Sequence, residues 1–431
     1  MLLKNQVHII RITDMNNLGY GISHIDGQAI FVSGGITDDL LEIKLIKVAK
    51  DYAVGRLEKI LSPSLYRIES ECPVSGRCGG CSFRNITREY ELELKRHFVV
   101  SAFKKNRIDA KVNPVLTDGK TEGYRNKVQY PVSPGGSYGY YARHSHTIIT
   151  SDTCLLSDSE FTPIAAFTSE YIKKSEAKVK HIYLRRGQAT GEIMLCLVSS
   201  KKSLPKEKEF VKEAVLRFPS IKSIILNYNP EETNVILGRE IRILFGGDVI
   251  EDILCDCRFE ISSLSFYQVN RGAAEILYNE AIKRAAEDSP KSIADLYCGA
   301  GTIGISFAKA HPEISVIGVE IIPDAVKNAI RNAEINGIKN AEFICDDALK
   351  APLDGFDCII TDPPRKGMSS ELIERIAALK PKHIVYVSCE PTTLARDASK
   401  LIDAGYKMSD VTPVDMFPGT GSVECVTDFR I

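Results

Sequence analysis

The sequence predicts an α/β protein whose rear part is a doubly wound, Rossmann-like parallel sheet, preceded by a small β-barrel and a central α+β region. Residues 299–304 read Gly-Ala-Gly-Thr-Ile-Gly, a turn that such sheets use between their first strand and first helix. Within residues 5–60, short β-rich runs separated by Asn-Asn, Asp-Gly and Gly-Gly are typical of a small barrel. In the rear part, β-rich runs alternate with helical stretches, and the runs lie at 292–297, 316–319, 341–344, 357–360 and 384–387.

The chain is long enough for several domains, each with its own core. We divide its 431 residues into a β-barrel at 1–60, a central region at 61–260 and a rear sheet domain at 261–431. Residues 87–106 have helical spacing with apolar residues on one face, and we expect this helix to pack on the rear domain.

The composition is that of an ordinary globular protein, with 44% hydrophobic and 26% charged residues. No run approaches the roughly 18 apolar residues of a membrane span, and no secretory signal is present. We therefore expect a cytoplasmic protein with no membrane partner, and we take it to be a monomer. Residues 1–270 carry a net charge of +5 and residues 271–431 one of −6, so the front part is better suited to an anionic partner.

A cysteine-rich block predicts a metal site. Cys72, Cys78 and Cys81 lie within ten residues, and paired glycines let the backbone fold closely around a bound metal ion or cluster. Twelve cysteines without a secretory signal argue against a disulfide framework. The spacing differs from that of paired zinc knuckles, so four thiolates would hold zinc or an iron–sulfur cluster. A fourth ligand is needed, and the candidates are Cys154, which is the nearest later cysteine, Cys196, Cys255 and Cys257.

Basic and aromatic residues interleave between residues 124 and 146. Lysine and arginine neutralise phosphates, and aromatic rings stack on unpaired bases, so this composition favours binding of single-stranded nucleic acid. Small barrels such as the one predicted at the front also bind oligonucleotides.

The rear domain carries the signals of a nucleoside cofactor and of catalysis. Glu320 follows the glycine-rich turn by about 20 residues, where a carboxylate accepts hydrogen bonds from ribose hydroxyls. A nicotinamide dinucleotide and S-adenosylmethionine both fit this pattern. Asp362 opens an Asp-Pro-Pro motif, and Arg365 stands where methyltransferases of exocyclic amines carry an aromatic ring, which argues against amine methylation. Cys389 follows the apolar run 384–387 and is expected to face the cleft beyond the sheet.

These motifs support a resemblance to a known family. The front barrel resembles the TRAM module, an RNA-binding barrel of tRNA- and rRNA-modifying enzymes, through residues 19–21 and 31–35. With the cysteine block, five rear segments make the chain resemble the iron–sulfur RNA uracil-5-methyltransferases of the 23S rRNA type. The segments read Phe-Tyr-Gln-Val-Asn at 266–270, Asp-Leu-Tyr-Cys-Gly-Ala-Gly at 295–301, Asp-Pro-Pro-Arg-Lys-Gly at 362–367, Ser-Cys-Glu-Pro at 388–391 and Asp-Met-Phe-Pro at 415–418.

The resemblance implies S-adenosylmethionine as methyl donor and 5-methyluridine in RNA as product, with 23S rRNA favoured over tRNA. It implies Cys389 as the nucleophile and Glu424 as the general base. It implies a [4Fe–4S] cluster on Cys72, Cys78, Cys81 and Cys154, to which we assign a structural rather than a redox role in organising loops that hold RNA. It further implies that the cofactor and uracil pocket is lined by Gln268, Tyr297, Glu320 and Asp362. The sequence departs from the family pattern at Ser422, where the family usually has histidine.

The chemistry explains these residue types. Uracil C5 is a poor nucleophile, and addition of a thiolate to C6 makes C5 electron-rich. A base must then remove the C5 proton so that the thiolate can leave. Two alternatives stay open on the sequence: an iron–sulfur oxidoreductase that uses a nicotinamide dinucleotide, and an RNA-binding protein without catalytic activity.

Overall fold

The computed structural model describes residues 2–431. Six strands at the front form one sheet in the order β1-β5-β6-β4-β3-β2. They are β1 (Val7–Arg11), β2 (Asp14–Met15), β3 (Tyr20–Ile25), β4 (Gln28–Ser33), β5 (Leu40–Val48) and β6 (Tyr52–Ser62).

This front sheet closes on itself. Only Ile12 and Thr13 separate β1 from β2, yet the two strands pair with β5 and β3 at opposite edges of the sheet. Alternate side chains point inward, and Ile10, Val32 and Ile43 are buried in the resulting core. The small barrel that the sequence predicts is therefore present.

The central part of the chain contains a five-stranded sheet in the order β13-β12-β11-β10-β7 and two hairpins, β8-β9 and β14-β15. Two helices, α2 and α3, cover the larger sheet. The elements are α1 (Arg88–Lys105), β7 (Lys127–Pro131), β8 (Tyr140–Tyr141), β9 (Ile148–Ile149), α2 (Phe161–Ser175), β10 (Val179–Arg186), β11 (Ile193–Ser199), α3 (Glu207–Arg217), β12 (Ile221–Tyr228), β13 (Glu240–Gly246), β14 (Val249–Leu254) and β15 (Cys257–Ser262).

The rear part is a mixed sheet in the order β18-β17-β16-β19-β20-β23-β21, with β22 also paired to β23. Its elements are α4 (Arg271–Ala286), β16 (Ser292–Leu296), α5 (Thr302–Ala310), β17 (Ser315–Glu320), α6 (Pro323–Ile335), β18 (Ala341–Cys345), β19 (Cys358–Thr361), α7 (Ser370–Leu379), β20 (His383–Ser388), α8 (Pro391–Asp403), β21 (Lys407–Met408), β22 (Thr412–Val414) and β23 (Glu424–Arg430).

The predicted Rossmann-like α/β class is confirmed, and the five predicted rear strands lie within one residue of the observed bounds. The chain winds from β16 outward to β17 and β18, and then returns to the other side of β16 for β19 and β20. This reversal creates a topological switch point, where the carboxyl ends of strands leave a crevice for ligands.

Helix α1 belongs to the middle of the chain but packs on the rear part. Thr87 caps its first turn by accepting a hydrogen bond from the backbone N–H of Tyr90. Its Val99 and Phe103 join the core of the rear sheet, and the helix contacts α8. The division of the chain at residues 60 and 260 stays a prediction. Within residues 2–431, no helix combines the length and the apolar character needed to cross a membrane.

Candidate active site

A cleft of about 870 Å³ lies at the carboxyl ends of β16, β17, β19 and β20. This is the switch-point side of the sheet, where open α/β folds bind their ligands. The structure brings all six side chains predicted for cofactor binding and catalysis to this one cleft. They are Gln268, Tyr297, Glu320, Asp362, Cys389 and Glu424.

The glycine-rich turn after β16 has the geometry of a nucleoside site. Gly299 and Gly301 have φ angles of 56° and 80°, a backbone region that favours glycine. A Cβ on Gly299 would meet no atom within 4 Å, so the turn faces open space. Glu320 accepts hydrogen bonds from the backbone N–H groups of Gly299 (3.2 Å) and Ile322 (2.9 Å). Its fixed carboxylate retains lone pairs for ribose hydroxyls.

Three acidic residues that sequence reasoning did not assign also line the cleft. Asp295 is buried, and its Oδ2 accepts a hydrogen bond from the Gly304 N–H (2.9 Å). Its Oδ1 has no partner within the described part of the chain, and burial raises the pKa of this carboxyl to about 7. Asp346 and Asp347 directly follow β18. Their position at the end of the third strand of the rear sheet was the signal that could have found them.

Antiparallel pairing places Cys389 beside Glu424. The ladder between β20 and β23 pairs Val387 with Val426 and Ser388 with Cys425. Cys389 and Glu424 are the next residues in this register, so they meet where the ladder opens into the cleft. Glu424 is buried, whereas Cys389 is half-buried and open to a substrate.

The pKa values of Cys389, Glu424 and Asp362 are all raised, which favours the protonated form of each group. Burial, followed by the charges of Glu424 and Asp362, raises the pKa of the Cys389 thiol to about 11. Burial and Asp362 raise the pKa of Glu424 to about 8, and burial raises that of Asp362 to about 7. The guanidinium of Arg365 lowers the pKa of both Cys389 and Glu424, but only in part. Two carboxyls with pKa values near neutrality beside a thiol are suited to proton transfer.

The loop that carries Gln268 is held by residues of the central region. The buried guanidinium of Arg185 donates to three backbone carbonyls of this loop, at 2.9, 2.8 and 3.4 Å, those of Ser262, Ser265 and Tyr267. The side chain of Asn126 donates to the carbonyl of Gln268 itself (2.9 Å). The loop at Gln268 is therefore held in place by Arg185 and Asn126 of the central region.

A second cavity, of about 210 Å³, is lined by four cysteines. They are Cys72, Cys78, Cys81 and Cys154, the four predicted cluster ligands. The other candidates for the fourth ligand lie elsewhere: Cys196 is buried within β11, and Cys255 and Cys257 flank the β14–β15 turn. Four thiols in one cavity are a donor set that suits iron–sulfur chemistry.

The four thiols influence one another electrostatically. Among residues 2–431, no three His, Cys, Asp or Glu side chains are grouped closely enough to hold one metal ion. Burial raises the pKa of Cys81 to about 12, and the other three cysteines, Cys154 foremost, add to this shift. Ionising all four thiols together would therefore require a bound positive charge.

Part of the predicted basic and aromatic surface lies in the core. Tyr124 and Tyr130 are buried, so these two rings do not offer stacking faces to bases. Tyr141 is 38% exposed, and Lys127 lines both the cleft and the cysteine cavity. Burial, with smaller contributions from two arginines, lowers the pKa of Lys127 to about 8.

The sequence and the fold are similar to those of known methyltransferases. A family model described as a methyltransferase domain matches residues 287–404. A protein of Bacillus cereus named as an uncharacterized RNA methyltransferase is 38% identical over 98% of this chain and 96% of its own length. A protein of Listeria monocytogenes with the same description is 38% identical over 99% of this chain and 98% of its own.

Among solved structures, the tRNA (uracil-54, C5)-methyltransferase of Pyrococcus abyssi, in complex with S-adenosyl-L-homocysteine, is similar along the whole chain. The TM-score is 0.82 at 26% sequence identity, covering 98% of this chain and 100% of that one.

The fold and the cleft thus define a Rossmann-like methyltransferase that uses S-adenosylmethionine. The chain belongs to the RNA methyltransferase family, and the predicted resemblance to RNA uracil-5-methyltransferases is confirmed. The oxidoreductase alternative is not supported.

Proposed function

We propose that this protein methylates C5 of uridine in RNA through a covalent bond between Cys389 and uracil C6. The main support for this proposal is that Cys389 and Glu424 lie next to each other at the end of the β20–β23 ladder, in the cleft that Asp362 also lines. A thiol and a buried carboxyl side by side are the two groups that this reaction needs.

Cys389 forms the first bond. Its sulfur adds to C6, and the electrons of the C5–C6 double bond move toward the C4 carbonyl, so that C5 becomes the nucleophile. The thiol proton must leave for this step, and we assign its uptake to the carboxylate of Asp362, whose charge acts on this thiol, so that Glu424 stays free for the later step. S-adenosylmethionine, which the glycine-rich turn and Glu320 would hold, would supply the methyl group to C5 and leave as S-adenosylhomocysteine.

Glu424 completes the reaction as the base. It takes the proton from C5, the electrons of that C–H bond restore the C5–C6 double bond, and the sulfur of Cys389 leaves. We assign Gln268 and Tyr297 to the pocket that holds the uracil ring and the cofactor, because both line the cleft. The base must be turned out of a stack or offered in a loop to reach this pocket.

The RNA target is proposed from two lines of support. The front barrel together with the cysteine block favours 23S rRNA, as the sequence resemblance implies. The Pyrococcus abyssi neighbour, which matches the whole chain, is named for uracil-54 of tRNA. We take 23S rRNA as the first candidate and tRNA as the second.

The proposal is tested with purified protein, isotope-labelled S-adenosylmethionine and total RNA that lacks 5-methyluridine. Nucleoside mass spectrometry of size-separated RNA is expected to find label in 5-methyluridine of the large ribosomal RNA. Label in the tRNA fraction would support the second candidate. If the cofactor binds and no nucleoside is labelled, the uridine proposal is wrong and an RNA-binding protein without catalytic activity takes its place.

We further propose a [4Fe–4S] cluster on Cys72, Cys78, Cys81 and Cys154. Protein purified without air is expected to contain about four iron atoms and four sulfides per chain. Cys154→Ser is expected to lose most of this iron. Cys196→Ser is the matched control, because Cys196 lies in β11 away from the cavity, and should retain it. Equal iron in both variants would exclude Cys154 as a ligand.

A further inference from the structure

The segment that leads to Glu424 is held almost residue by residue by distant parts of the chain. We call residues 415–422, which connect β22 to β23, the base loop. Phe417 and Ser422 of this loop line the cleft, and Glu424 follows it. The position of the general base therefore depends on how the base loop is held.

Helix α1 holds the first half of the base loop through buried charges. Lys95 is fully buried, and its Nζ donates to Asp415 (2.5 Å) and to the carbonyl of Phe417 (3.0 Å). Arg88 forms a second ion pair with Asp415. Glu91 pairs with Lys95 (2.9 Å) and accepts a hydrogen bond from the backbone N–H of Gly419 (2.7 Å). Removing one partner from such a buried network leaves an uncompensated charge.

The cysteine block holds the second half. The backbone N–H groups of Ser82 and Phe83 both donate to the carbonyl of Gly419, at 3.1 and 3.0 Å. The Ser82 hydroxyl accepts a hydrogen bond from the N–H of Gly421 (3.2 Å). Ser82 directly follows Cys81, which lines the cysteine cavity. The residue that contacts the base loop is thus the immediate chain neighbour of a proposed cluster ligand.

The front barrel closes the arrangement. A Cβ on Gly421 would lie 1.9 Å from the carbonyl oxygen of Asn17, so no larger residue fits while the barrel is docked there. The base loop therefore lies between the barrel, the cysteine block and α1, with Glu424 at its end.

We propose that Ser82, Glu91 and Lys95 are positioning residues for Glu424, and that a group bound by the four cysteines acts on catalysis by ordering the base loop. The role of Glu424 in this statement rests on the proposed function. None of the three residues lines the cleft, so they act through the base loop and not by contact with substrate.

The test uses Lys95→Met, which keeps the length of the side chain and removes its charge. A displaced base loop is expected to lower kcat by at least about tenfold, with smaller changes in KM for RNA and in the affinity for S-adenosylmethionine. Hydrogen exchange at residues 416–424 is expected to rise. Ser82→Ala, which removes only the contact to Gly421, should show the same pattern to a smaller degree and remains informative if Lys95→Met does not fold.

Arg67→Met is the matched control. Arg67 forms an ion pair with the buried Asp39 of the barrel and does not touch the base loop. This variant is expected to lose thermal stability as Lys95→Met does, but to keep its kcat and its exchange at residues 416–424. If both variants lose kcat in proportion to stability alone, the positioning role is refuted.

The proposed effect of the cysteine-bound group on the base loop is tested by hydrogen exchange in the wild-type protein, measured before and after its iron is removed. Exchange at residues 416–424 is expected to rise on removal, while β10 to β12 stay protected. Unchanged exchange at the base loop would overturn the link. This readout does not depend on methyl transfer, so failure of the uridine proposal would be recognised separately in the nucleoside assay.

Discussion

Cys389→Ala is expected to abolish methyl transfer, with a loss of at least about 10⁴-fold in kcat. Without the thiol, C5 of uracil stays a poor nucleophile, and the rest of the cleft cannot replace the bond to C6. The measurement is incorporation of labelled methyl groups into RNA under single-turnover conditions.

The variant should still bind S-adenosylmethionine, because Glu320 and the glycine-rich turn are untouched. Cys358→Ala provides the control, since Cys358 is buried in β19 and lines neither cavity. Substantial methyl transfer by Cys389→Ala would show that the reaction does not pass through this thiol.

Glu424→Gln is expected to stop the reaction after methyl transfer. The amide keeps the shape of the side chain but cannot take the C5 proton, so RNA should remain bonded to Cys389. Turnover should fall by about 10²- to 10⁴-fold, the usual contribution of a general base. A protein–RNA species that survives denaturing electrophoresis is the measurement, and it should be missing in the double variant with Cys389→Ala.

The pH dependence of the wild-type enzyme follows from the same residue. A base must be ionised to act, and burial raises the pKa of Glu424 to about 8. The value of kcat is therefore expected to rise as pH rises through this range. A rate that falls as pH rises from 7 to 9 would contradict Glu424 as the base.

The sequence predicted those parts of the fold and site that depend on local pattern. Buried parallel strands are apolar runs flanked by turn-forming residues. The predicted bounds of the five rear strands therefore lie within one residue of the observed bounds. Glu320 and Cys389 were predicted to face the cleft because Glu320 ends one such strand and Cys389 follows another. The clustering of Cys72, Cys78 and Cys81 was predicted from spacing alone, whereas spacing left the choice of Cys154 open; their role as metal ligands stays a prediction.

The parts that the sequence did not predict depend on long-range pairing. Strand β23 runs antiparallel inside the rear sheet, and no local pattern shows that it inserts between β20 and β21. Tyr124 and Tyr130 looked like stacking residues because basic neighbours surround them, yet packing buries both. The base loop could not be predicted either, because Lys95 and Asp415 become partners only through tertiary structure.

The base loop also bears on how this protein folds. Lys95 and Asp415 are 320 positions apart, and the hydroxyl of Ser82 meets an amide 339 positions later. Bringing such remote segments together lowers the entropy of the chain before the contacts can stabilise it. We therefore expect these contacts to form late. The barrel and the two larger sheets can each nucleate from nearer neighbours. We therefore expect the corner around Cys389 and Glu424 to be among the last regions to acquire native order.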